Sequence, residues 1–317
     1  MSKWPQARSI REAYAEFLAN RQVLEAEIMH FEYPGGLDVY NPTIPFVSDG
    51  IEVITGRVQE RAGRDSTTVF FTNKNGVYYP IPDAPTFPLE DPFVTIISGE
   101  IVLGGVHVEW DGMRALSWRT VFYKGPSIYK LKHLADGPAH MKDIRLLEMP
   151  DGKIALCSRP QGEKMLQKYG CIAKIGFTII PSLDALTPEI IESAPYVQDV
   201  FPPDEWGGAN QLYNLPDGRI GVIGHISHKN TSNGVDFLHY YSVAFAIDPA
   251  TRETSCVNVI CSRDCFPGTQ TREPRLYDVT FCAGIVPLSD GTAHVYTGLS
   301  DCQIGRARIP DPFKDLI

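Results

Sequence analysis

The sequence predicts an all-β chain, a five-bladed β-propeller with an N-terminal helix packed outside it. Three observations predict this. A glycine-containing turn flanked by short apolar runs occurs five times, at Ser48-Asp49-Gly50, Ser98-Gly99-Glu100, Pro150-Asp151-Gly152, Pro216-Asp217-Gly218 and Ser289-Asp290-Gly291. The turns are 50, 52, 66 and 73 residues apart, which leaves room for one hairpin and two further short strands in each interval. The 25 prolines and 27 glycines lie mostly beyond residue 32, between β-branched and aromatic runs, the texture of strands joined by tight turns.

The first segment reads as a helix. Ser9 and Glu12 have the spacing of a capping box, and Ile10, Tyr14, Phe17, Leu18 and Leu24 follow at helical spacing. Residues 1–32 are therefore expected to be a helical extension of one catalytic domain covering 1–317. The hairpin pattern is clearest in the third and fourth turns. Ile144–Met149 and Lys153–Cys157 flank the third, and Gln211–Leu215 and Arg219–Ile223 flank the fourth. Asp-Gly between such runs is a strong hairpin signal. Unrelated hairpins in a sandwich are the alternative reading.

Composition narrows the function. The chain has 317 residues, and its 29 Lys+Arg against 38 Asp+Glu give a net charge of −9. An acidic balance argues against a nucleic-acid partner, which calls for a basic face. Met1 to Ser9 contains no apolar core of a secretory signal, and no run approaches the ~18 apolar residues of a membrane span. Asp315-Leu316-Ile317 is neither a reticulum nor a peroxisome signal. The expectation is a cytoplasmic protein with no membrane partner and seven reduced cysteines. Cys256, Cys261 and Cys265 lack the paired spacing of a zinc site, so neither a metal nor a cofactor is expected.

In a propeller the innermost strand of each blade lines a central channel. Counting back seven residues from the start of each turn gives Asn41, Asp91, Asp143, Ala209 and Cys282. Asn210 and Gln211 stand beside Ala209, and Asp278 precedes Cys282 by four residues. Carboxylates and amides converging on one axis make a pocket for a sugar. Asp91 is the sharpest candidate, because Pro92 stiffens the chain beside it just before the run Val94–Ile97. Its structural alternative is a turn residue capping its own backbone. A second constellation is cationic. Lys142 starts the third inner strand, Arg159-Pro160 ends the returning strand, and His225 holds the matching place in the fourth hairpin. Such groups at a channel mouth suit a phosphate, and a solvated surface cluster is the alternative. His107, His133, His140, His239 and His294 have no such context.

These residues carry a resemblance. Asn41-Pro42, Glu90-Asp91-Pro92, Lys142 with Ser158-Arg159-Pro160, Gly224-His225 and Gly298-Leu299-Ser300-Asp301, in this order, resemble the five-bladed-propeller β-mannoside phosphorylases. Over nearly the whole chain the sequence is more similar to the β-1,2-mannosyltransferase/phosphorylases of protozoan parasites, a family once described as a domain of unknown function. The resemblance implies reversible transfer of mannose between β-1,2-mannooligosaccharides and inorganic phosphate, as mannose-1-phosphate, with GDP-mannose as a further donor. It implies Asp91 as general acid or base and phosphate held by Lys142, Arg159 and His225. Mannose falls to Asn41, Asp301 and their neighbours, here Asp143, Asn210, Gln211 and Asp278. The phosphorylases usually carry Arg after Asp-Pro where this chain has Phe93, so that anchor is absent or comes from elsewhere, with Arg145 the candidate.

A phosphorylase needs one carboxylate, because phosphate is itself the nucleophile, whereas an inverting hydrolase needs two. No Asp-x-Asp occurs, which speaks against a metal-clamped nucleotide-sugar site. Two rival readings are an inverting β-mannosidase, with Asp143 or Asp278 as base, and a sugar-binding propeller without turnover.

Overall fold

The run Ile154–Ser158 shows how the sequence builds the molecule. Strand side chains alternate between faces. Ile154 and Leu156 enter one apolar core and Ala155 and Cys157 the next, so a strand covered on both faces reads as a continuous apolar run. Val222 and Ile223, and Phe70 and Phe71, divide between adjacent cores in the same way. The computed structural model describes residues 7–112 and 114–314. The stretches 1–6 and 315–317, part of those read for targeting signals, lie outside the described residues.

The paired strands fall into five sheets. In the first, Asp38–Tyr40 and Phe46–Ser48 both pair with Ile51–Gln59, and Ser66–Lys74 and Val77–Pro80 follow. The second contains Glu90–Ile97, Glu100–Asp111, Arg114–Gly125 and Lys132–Asp136. The third has Arg145–Glu148, Ile154–Ser158 and Gly176–Ile180. The fourth has Trp206–Asn214, Ile220–Ser232, Val235–Ile247 and Asn258–Cys261. The fifth has Thr280–Pro287, Thr292–Leu299 and Gln303–Pro310, with Glu25–Ile28 from the far end of the chain as its fourth strand. Inner strands of each sheet pack against the next sheet, and the fifth packs back on the first. Five apolar cores fill the five junctions.

All five glycine turns join the two inner strands of a sheet. Asp49-Gly50 and Ser98-Gly99 have positive φ at both positions, as a two-residue hairpin loop requires, and Gly152, Gly218 and Gly291 supply the single left-handed residue of a longer loop.

Three expectations are corrected. The helix covers only Ile10–Ala19, because Glu25–Ile28 and His30–Phe31 are recruited as strands linking the last and first sheets. Leu18 and Leu24 are exposed, while Ile10 and Ala13 pack into the core between the third and fourth sheets. Ser9 caps the Arg11 amide as expected, but the reciprocal partner is the buried Glu205, which accepts from Ser9 Oγ at 2.7 Å and Ile10 N at 2.9 Å. The third sheet has three strands rather than four. Beyond Ile180 the chain carries Pro181, Pro188, Pro195, Pro202 and Pro203, which cannot donate to a ladder, and a short helix at Pro188–Glu192 stands there instead. No helix among the described residues is long and apolar enough to cross a membrane.

Candidate active site

Each inner strand breaks its ladder near the same point. Asn41, Asp91 and Asp143, seven residues before their turns, have φ of 45°, 48° and 58°. Left-handed backbone is costly for most side chains and least so for Asn and Asp. Asp91 sits in a bulge between Glu90 and Phe93, and Asn210 in a bulge between Ala209 and Gln211. The irregularity turns these side chains inward, where a regular strand would direct every second one into a core. Asp301 is left-handed as well, at φ 53°.

Asn41, Asp91, Lys142, Asp143, Arg159, His225 and Asp301 line one cavity of about 420 Å³. Asn210 stands behind the wall, its Oδ1 2.8 Å from His225 Nδ1 and its carbonyl accepting from Arg145 Nε at 2.7 Å. Gln211 and Asp278 do not line the cavity. Gln211 packs toward Gly284, and the Asp278 carboxylate turns away to His239 Nδ1 at 2.7 Å and the Tyr241 hydroxyl at 3.2 Å. Ala209 and Cys282 are core residues.

Asp91 is buried. Its Oδ1 accepts from Asn41 Nδ2 at 2.7 Å and Arg57 Nη1 at 3.1 Å. Burial alone would raise its pKa, but Arg57, Lys142 and the Asn41 amide outweigh burial and hold it below the usual carboxylate range. Gly298 leaves the room that Asn41 occupies, since a Cβ there would collide with Asn41 Oδ1. Asp143 has more charge around it. Arg159 Nη2 lies 3.1 Å away, His225 Nε2 3.8 Å and Arg145 Nη2 3.9 Å. Burial again opposes ionisation, and Arg159 above all overcomes it. Glu90 and Asp301 go the other way, because burial raises both against the pull of Arg57.

The cation cluster needs one correction. Burial pushes the His225 pKa down to about 3, against the pull of Asp143 and with Arg159 and Lys142 adding to the fall, so the ring is neutral at neutral pH. The positive charge there belongs to Lys142 and Arg159. Lys142 has no carboxylate within 4.0 Å among the described residues.

Phe93, in place of arginine, has a defined role. Its ring lies against Gly104, where a Cβ would come within 2.2 Å of Phe93 Cζ, and the Arg145 guanidinium stacks 4.0 Å from the ring centroid. Arg145 reaches Phe93 from the third sheet but does not line the cavity, its guanidinium being spent on the ring and on the carbonyls of Asn210 and Ile144.

Sequence reasoning missed Arg57, which joins Asp91 to Glu90 at 3.0 Å and to Gln59 at 3.0 Å. Gln59 Oε1 also accepts from Tyr40 and Arg272, bringing first-sheet and late-chain residues together. A signal for Arg57 existed. Arg57, Arg159 and His225 each stand seven residues after the glycine of their turn, Gly50, Gly152 and Gly218. The aromatic residues Trp110, Trp206, Tyr240 and Phe281 complete the walls.

A ring of sheets whose inner strands present two carboxylates held ionised, a lysine with no acidic partner among the described residues and several aromatic rings belongs to the propeller-like carbohydrate-active proteins. Within that class, the chain belongs to the family described as "Protein of unknown function (DUF1861)", whose pattern matches residues 15–315. It is similar to MPT-4, a mannose phosphorylase from Leishmania mexicana solved in complex with a phosphate ion, at 36% identity and TM-score 0.89, over 96% of this chain and 94% of that one. It is similar to MPT-1, a GDP-Man-dependent mannosyltransferase from the same organism, at 34% identity and TM-score 0.87, over 96% and 95%. The β-1,2-mannobiose phosphorylase of Listeria innocua shares the fold at 14% identity and TM-score 0.62, over 88% and 92%. A comparison with curated proteins finds no match.

Proposed function

We propose that the chain is a five-bladed propeller that moves mannose reversibly between β-1,2-mannooligosaccharides and phosphate, as mannose-1-phosphate, and that GDP-mannose can serve as donor through the same anion site. The observation that carries the reading is one cavity lined by Asp91, by Lys142, a cation without a carboxylate partner among the described residues, and by Arg159. The two Leishmania relatives, a phosphorylase and a mannosyltransferase, support it from outside the chain.

In phosphorolysis a phosphate oxygen forms a bond to the anomeric carbon while the bond to the leaving sugar oxygen breaks, and Asp91 gives that oxygen its proton. In synthesis mannose-1-phosphate donates mannose and Asp91 takes the proton of the acceptor hydroxyl. The ligand-free site holds Asp91 ionised, ready as the base. A phosphate anion beside Lys142 offsets the charge that depresses Asp91 and raises its proton affinity, which loads the acid for phosphorolysis. Lys142 and Arg159 stabilise the transferring charge electrostatically. Neutral His225 donates Nδ1–H to Asn210 Oδ1, which leaves Nε2 as an acceptor for a sugar hydroxyl or a protonated phosphate oxygen.

The hydrolase reading with Asp143 or Asp278 as base needs that carboxylate to be free and in the cavity. Asp143 is engaged by Arg159, with Arg145 and His225 beside it, and Asp278 lies outside the cavity. Incubation with β-1,2-mannobiose, with and without phosphate, tests the proposal. Mannose-1-phosphate formed only with phosphate is expected. Free mannose released without phosphate overturns it.

A further inference from the structure

The turn that leaves the fourth sheet carries a pair of thiols that the transfer chemistry does not use. Cys261 ends the outer strand Asn258–Cys261 and is fully buried. Ser262 is extended, and one tight helical turn over Arg263–Cys265 brings the chain back, with Cys265 N donating to the Ser262 carbonyl at 3.1 Å. Cys265 is half-buried, so it is the member of the pair that a small solute can reach.

The surroundings divide the two sulfurs. Ser262 N donates to Cys265 Sγ at 3.5 Å, and the Ser262 hydroxyl lies 3.6 Å from the same sulfur. A hydrogen bond from the Cys261 thiol, with these contacts and the Arg21 guanidinium, holds the Cys265 thiol below its ordinary range against burial. Cys261 goes the other way, raised by its bond to Cys265 and by burial, and keeps its proton. A reachable, nucleophilic sulfur beside a protonated one suits oxidation of the first and its capture by the second.

Arg263, between the two cysteines, connects this turn to the cavity. Its buried guanidinium donates to Ser300 Oγ at 3.2 Å and to the carbonyls of Phe266 at 3.2 Å and Gly268 at 2.9 Å. Ser300 and Asp301 are consecutive left-handed residues, at φ 50° and 53°, and Asp301 lines the cavity. Such backbone persists only where its surroundings hold it. A disulfide fixes the separation of its two Cα atoms and the torsion at sulfur. Closing one across Arg263 resets the turn, takes the charged acceptor from Ser262 N and loosens the hold of Arg263 on Ser300.

We propose that Cys265 is a site of reversible oxidation by hydrogen peroxide, that Cys261 resolves it, and that the resulting disulfide slows the enzyme through Arg263, Ser300 and Asp301. The Cys265 sulfur attacks one peroxide oxygen. The S–O bond forms as the O–O bond breaks, the sulfur gives up two electrons, and the departing hydroxide takes a proton to become water. The Cys261 sulfur then attacks the sulfenic acid. The S–S bond forms as the S–O bond breaks, and the hydroxyl leaves as water with the Cys261 proton.

The test uses a Cys256→Ser background, which removes the exposed thiol. Hydrogen peroxide should lower the intact mass by two hydrogens, and peptide mapping should find Cys261 joined to Cys265. Phosphorolysis of β-1,2-mannobiose should slow about fivefold or more, and dithiothreitol should reverse both changes. Adding Cys265→Ser abolishes the link and the slowing and leaves the untreated rate in place. Adding Cys261→Ala instead leaves a sulfenic acid at Cys265 that dimedone traps. A Cys265 that stays reduced, or oxidises without joining Cys261, overturns the assignment. A link that leaves the rate unchanged overturns the coupling to the cavity. If the untreated protein moves no mannose, the functional reading fails by itself. The link then still decides the thiol pair, and hydrogen exchange at the Ser300 and Asp301 amides, faster in the disulfide form if the coupling holds, decides the rest.

Discussion

Asp91 and Asp143 occupy the same place in adjacent sheets, yet their surroundings set them apart. Both lie seven residues before a turn, both have left-handed backbone and both are buried. Asp91 is held by one arginine and one amide, with Lys142 nearby and without an acidic partner of its own among the described residues. Asp143 has two arginines and a histidine within 4 Å. A proton affinity set by few charges can be moved by one incoming anion. One fixed by a dense cluster is harder to move, and this difference supports the proposed roles of Asp91 in proton exchange and of Asp143 in holding Arg159.

The largest expected effect separates the two directly. Asp91→Asn keeps the shape and removes proton transfer, so phosphorolysis and synthesis from mannose-1-phosphate fall together by ~10²–10⁴-fold, about 3–5 kcal/mol of barrier. Retention of more than about a tenth of the rate in either direction removes Asp91 from the chemistry. Asp143→Asn is expected to behave oppositely, with turnover still measurable and stability lowered by about 3 kcal/mol, because a buried ion pair loses one partner. Urea melts beside initial rates decide it, and a variant as inactive as Asp91→Asn, with free mannose appearing from the wild type without phosphate, would favour the hydrolase.

His225 sharpens the contrast through pH. Its folded pKa is depressed from an ordinary value of about 6.5 to about 3. Unfolding therefore takes up a proton in that window. The stability is fully present above pH 6.5 and is lost as pH falls toward 3, by about 1.4 kcal/mol per unit from this group. In His225→Asn that contribution disappears, and thermal melts from pH 7.5 to 4.5 should show a flatter acid limb than the wild type. The smallest effect is a pH shift, read in a Lys142 variant beside the fall in rate that losing an anion-site cation brings. Because Lys142 depresses Asp91, Lys142→Met raises the Asp91 pKa, and the acid limb of kcat for synthesis moves to higher pH. A limb that stays in place, or moves to lower pH, breaks the link between the two residues.

The stacking of Arg145 on Phe93 shows what kind of information a sequence withholds. Gly104 and Phe93 are neighbours across a hairpin, but the arginine comes from the next sheet. Asn41 with Asp91, Arg145 with Asn210, and Arg272 with Gln59 are likewise contacts over long separations of chain. Asp278 failed as a pocket residue for the same reason. Counting positions placed it near an inner strand, but His239 and Tyr241 on the neighbouring hairpin draw its carboxylate away.

The sequence by itself determined the five hairpins, since glycine at each turn is a local backbone demand. It also determined the rows of polar residues that follow from a constant distance between turn and cavity. Forward counting from the glycines would have added Arg57 to Arg159 and His225. Only the tertiary structure decided how many charges surround each buried carboxylate, that His225 is neutral, and that residues 25–28 complete the last sheet. The physical reason is range. Turn geometry is fixed by a few consecutive residues, whereas proton affinity and strand recruitment depend on burial and on charges brought together from different sheets.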